Sequence, residues 1–176
     1  MTVIEVPIES PIKEKIAWAK KCHQLRGADL LRDEEVGFLL KKLKEAIHAS
    51  HKEMAHAGIM EFCRLCEDKE GGSCCGIGLE NRYTGILLLI NLLLGHAIPT
   101  GRYDPSGCFF VGKEGCGLLA RQVICINYLC HKITDRVDPQ TITPLREKEG
   151  DELGHLFHLK ERIRKILMYY ENYCAE

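Results

Sequence analysis

Eight cysteines fall within the 68 residues from Cys63 to Cys130, out of ten in a chain of 176. So many sulfurs in so short a stretch favour folds that bring thiols together and give them something to do. They divide into two groups. Cys63, Cys66, Cys74 and Cys75 follow the spacing C-x2-C-x7-C-C, and Cys108, Cys116, Cys125 and Cys130 follow C-x7-C-x8-C-x4-C. Thiolates are soft ligands, and four per group is the count of tetrahedral sulfur sites and of cubane cluster ligation. All eight are therefore expected to be metal ligands. Cys22 and Cys174 stand apart and read as ordinary buried thiols.

The spacing leaves the metal open. Cys63 and Cys66 can aim both sulfurs at one ion from a helix end, whereas the side chains of vicinal Cys74 and Cys75 diverge. A zinc ribbon needs a second C-x2-C knuckle, and a ferredoxin run needs C-x2-C-x2-C; the chain has neither. Gly71, Gly72, Gly76 and Gly78 would let a loop close around a site and offer its amides to charged sulfur. Arg121, one turn before Cys125, is a candidate donor to a thiolate site, and Arg102 and Asp104 are candidates for its rim.

At 176 residues, 45% of them apolar, residues 1–176 fit a single domain with a core of its own. The net charge of -1, from 24 basic and 25 acidic residues, gives no field to attract nucleic acid or an anionic membrane. The opening MTVIEVPIESPIKEKI lacks the pattern of a secretory signal, so a reducing cytoplasm is expected, where clustered cysteines favour metal over disulfides. The stretch from Gly85 to Ile98 is shorter than the roughly 20 residues of a membrane span and contains Asn91 and His96. It reads as a buried helix.

Periodicity predicts helices over 12–25, 33–62, 80–97, 117–133 and 150–173. Asp33 is a fitting N-cap for the second, and Gly58 is expected to bend its last turns. Pro139, Pro144 and the charges between them read as a loop. The expected architecture is mainly α, a helical scaffold carrying an inserted, loop-rich cysteine metal-binding module over 63–130.

The cysteines also carry a resemblance. The opening Cys63, Cys66, Cys74, Cys75, with Gly115-Cys116-Gly117-Leu118 and the Arg121 to Cys125 segment downstream, is similar to the cysteine-cluster proteins described as zinc- or iron-chelating domains. The likeness spans roughly the central 70 residues. Gln122 and Ile126 depart from the family pattern, which commonly has proline and arginine there. The resemblance implies a bound zinc or iron–sulfur centre.

The expected function is thus that of a metal-binding protein, an iron–sulfur cluster being favoured and zinc the alternative. The cluster would serve redox, sensing or substrate modification; zinc would structure a non-catalytic interaction surface. Whether the chain is an enzyme stays open, and the partner is an unspecified protein or small molecule. Glu45-x2-His48-x2-His51 and Glu152-x2-His155-x2-His158 repeat a di-iron pattern. The first falls opposite its helix's apolar stripe, so solvated histidines are the better reading there.

Overall fold

The computed structural model describes residues 5–63, 74–113 and 115–173, with side chains through residue 170. It is mostly helical. Helix α1 (Ile12–Arg32) runs past its expected end: Gly27 costs about 1 kcal/mol in a helix, and burial of Leu30 beyond it offsets that. Helix α2 (Glu34–His56) starts on Asp33, whose side chain accepts from the Val36 N–H at 3.0 Å. Gly58, at φ +69°, breaks the helix rather than bending it, and a short helical turn resumes over 59–63.

The helix expected over 80–97 is replaced by a 3-10 turn (Leu79–Arg82) and helix α3 (Gly85–Leu93). Thr84 caps α3 by accepting from the Leu87 N–H, and Gly95, at φ +76°, closes the turn that follows it. Gly85 meets the Trp18 ring of α1 so closely that an added Cβ would lie 2.4 Å from Cε3.

The stretch expected as a helix over 117–133 is only partly one. Residues 117–122 are extended or irregular, followed by short helices α4 (Val123–Asn127) and α5 (His131–Thr134). The reason lies in α3. Asn91 accepts from the Leu119 and Ala120 N–H groups and donates to the Ala120 carbonyl, so these backbone groups are satisfied outside a helix. A two-residue antiparallel ladder precedes them, β1 (Val111–Gly112) against β2 (Gly115–Cys116).

Helix α6 (Pro139–Tyr173) absorbs the expected loop. Asp138 accepts from the Gln140 N–H at 2.8 Å, and Pro139 occupies a first-turn position where its missing N–H costs nothing. Pro144 removes one hydrogen bond, but Leu145 beside it is fully buried.

Helix α2 lies along α6, and α3 packs on α1 and touches α6. The contacts Asp33–Arg162 and Ser50–Glu152 run in opposite order, so α2 and α6 are antiparallel. One apolar core joins α1, α2, α3 and α6 with Phe109, Phe110 and Leu118. A smaller cluster gathers Ala57, Ile59, Ile133, Val137 and Leu145. Among the described residues no helix is long and apolar enough to cross a membrane.

Candidate functional site

The cysteine-bearing loops are fixed by backbone pairing and one buried ion pair. Gly76 pairs with Gly107, the Cys108 N–H donates to the Cys75 carbonyl, and the Ile77 N–H donates to the Ser106 carbonyl. Glu80, 3% exposed, sits under this junction. Its carboxylate accepts from the Gly78 N–H at 2.9 Å and pairs with Arg102, which also donates to the Gly107 carbonyl. Burial alone would raise the Glu80 carboxyl. Arg102 and the backbone N–H groups outweigh it and hold the group below the ordinary carboxylate range.

Tyr83 fixes the segment that carries Cys125. Its ring is buried edge-on against Phe110, with centroids 4.9 Å apart. Its hydroxyl accepts from the Gln122 N–H at 3.3 Å and donates to Cys125 Sγ at 3.8 Å. Gln122 caps α4 through its own side chain, which sets where Cys125 enters.

Three thiols open on one pocket. Cys74, Cys75 and Cys125 line it with Leu79, Ile124 and Tyr128, around a volume of about 340 Å³. Cys74 and Cys75 are hydrogen-bonded side chain to side chain. That bond, then burial and the neighbouring sulfurs of Cys75, Cys63 and Cys130, push the Cys74 thiol far up. Burial pushes Cys108 up to about 11. Burial also raises Cys116 and Cys125, with nearby sulfurs adding to it. Arg121 pulls both down, and the Tyr83 hydroxyl does the same for Cys125.

The thiols are neighbours, yet they turn toward different surroundings. Cys75 and Cys125 pack at the edge of the main core, which Cys108 enters fully, while Cys130 packs on the smaller cluster. Cys63, Cys74 and Cys116 are exposed as whole residues, although the thiol groups of Cys74 and Cys116 are partly withdrawn from water, and Cys66 lies outside the described residues. Among the described residues no group of three or more His, Cys, Asp or Glu is placed to hold a metal ion. This overturns the expected metal-binding function, favoured as iron–sulfur with zinc as the alternative.

The paired Glu-x2-His patterns fail the same test. Glu45 and His48 are exposed, as the periodicity of their helix implies, and Glu152 is buried. The Ser50 hydroxyl donates to Glu152, and no ligand set forms with it among the described residues. His51 is drawn down to about 4, first by burial and then by the charges of Arg121 and His48. Arg121 lies within electrostatic reach of Cys116 and Cys125, yet its Nε and Nη2 have no partner among the described residues. Arg102 proves to be a strut under the loop junction, and Asp104 holds a turn by accepting from the Ser106 N–H and hydroxyl.

Sequence reasoning missed Tyr83, Leu79, Ile124 and Tyr128. Tyr83 carried no local signal, since what marks it is contact with segments about 30 to 40 residues away. No family model matches the chain, and neither a curated protein nor a solved structure does.

Proposed function

We propose that this chain works by thiol–disulfide exchange at the pocket formed by Cys74, Cys75 and Cys125. The observation that carries the reading is that three thiols share one pocket of about 340 Å³. The loop-rich stretch between Cys63 and Cys130 then serves as the redox-active part of a helical scaffold.

Cys125 is the attacking residue. The Tyr83 hydroxyl donates to its sulfur, and a donor stabilises the thiolate over the thiol. Cys74 is the poorest candidate, because its hydrogen bond to Cys75 and its burial favour the protonated form. The Cys125 thiolate attacks one sulfur of an incoming disulfide, forming a mixed disulfide and releasing one thiolate, which takes up the proton that Cys125 lost. Cys75, in the same pocket, attacks the Cys125 sulfur as a thiolate and displaces the second leaving thiolate, which takes up the Cys75 proton. The protein gains one disulfide, and the incoming disulfide becomes two thiols. Because the Cys125 thiol is raised, exchange is slow at neutral pH and accelerates as pH rises.

Release of small thiol from an added disulfide tests this. Cys125→Ser is expected to cut the initial rate by about tenfold or more, and Cys22→Ser, at a fully buried core position, to leave it unchanged in folded protein. Equal rates for folded Cys125→Ser and the parent chain would refute the assignment.

A further inference from the structure

We propose that the disulfide accepted at this pocket is small, neutral and apolar in its substituents, in preference to a charged one such as glutathione disulfide. The inference rests on the thiol-exchange reading and names its substrate class.

The walls beside the thiols are hydrocarbon and phenol: Leu79, Ile124 and Tyr128, with no charged side chain in the lining among the described residues. Ile124 and Tyr128 remain 47% and 55% exposed, so a ligand entering here covers apolar surface that the fold leaves open. Burial of such surface favours apolar substituents, while a carboxylate or ammonium carried into the pocket loses hydration and meets no charged side chain in the lining among the described residues, Arg121 lying outside that lining. The volume of about 340 Å³ suits a small molecule.

The chemistry is the exchange already described. Cys125 takes one sulfur of the substrate, Cys75 resolves the mixed disulfide, and the substrate leaves as two neutral thiols. The substrate is itself the oxidant.

The test compares three disulfides on the full chain: neutral bis(3-hydroxypropyl) disulfide, anionic glutathione disulfide and cationic cystamine. Each rate is divided by that of mercaptoethanol with the same disulfide, which removes intrinsic reactivity. The normalised rate for the neutral compound is expected to exceed both others by about tenfold or more. Ile124→Asp, a change at an exposed position, is expected to narrow that margin. Equal normalised rates, or faster reaction with glutathione disulfide, would overturn the substrate preference alone. Exchange with none of the three would overturn the parent reading and this inference with it.

Discussion

Asn91 lies in the most apolar stretch of the chain and is fully buried, and its carboxamide decides the course of a distant segment. Its oxygen accepts from the Leu119 and Ala120 N–H groups, and its nitrogen donates to the Leu87 and Ala120 carbonyls. One side chain thereby holds residues 117–122 out of a helix and sets the path that leads to Gln122, the cap of α4. Asn91→Leu keeps the volume and strands those backbone groups. Leaving a buried polar group unpaired costs about 1–3 kcal/mol, so the variant is expected to lose about 3–5 kcal/mol in urea unfolding. A loss below about 1 kcal/mol would show that the segment is held by other contacts.

At the scale of elements, the Glu80–Arg102 pair clamps the turn after Cys75 to the loop before Cys108. The Glu80 carboxyl lies below its ordinary value of 4.5 in the fold, so the pair contributes stability above that pH. The contribution is lost as pH falls through the lower, folded value. Glu80→Gln is expected to cost about 2 kcal/mol at neutral pH, since a buried charge-assisted bond is replaced by a neutral one. Its stability should fall less steeply than the parent's below pH 4.5. Parallel acid dependence in urea midpoints of the two proteins would contradict the role given to Glu80.

The elements also show what the sequence made legible. Ile16, Ala19, Cys22, Val36, Leu39, Leu40, Leu43 and Ile47 repeat at helical spacing and are all buried, because a local period is enough to mark a core face. The Asp33 cap was legible for the same reason. Pro139 misled, since a proline at the start of a helix looks in sequence like one that prevents it, and Pro144 misled because burial of Leu145 offsets the one hydrogen bond it removes. The 117–133 stretch misled because its backbone partners, Asn91 and His96, are more than 20 residues away. The spacing of the cysteines could not show that Cys108 enters the main core while Cys130 packs on the smaller one.

For the whole molecule, buried thiols make stability depend on alkaline pH. Cys108 titrates near 11 in the fold against 9.0 ordinarily, and Cys116 and Cys125 are raised as well. Between those values the folded chain holds protons that the unfolded chain has given up. Stability should therefore be intact below pH 9 and fall as pH rises toward 11, by about 1.4 kcal/mol per unit for Cys108. Cys108→Ala is expected to flatten that slope, and an unchanged slope would contradict the assignment.

The same set of thiols carries the central claim, that Cys125 and Cys75 exchange with a disulfide in a shared pocket. The most direct measurement is peptide mapping of the whole chain after limited reaction with a neutral disulfide, unreacted thiols being alkylated first. The account predicts a Cys75–Cys125 disulfide as the first product, preceded by a mixed disulfide on Cys125. First oxidation confined to exposed Cys63 or Cys116, with Cys75 and Cys125 alkylated as thiols, would contradict it.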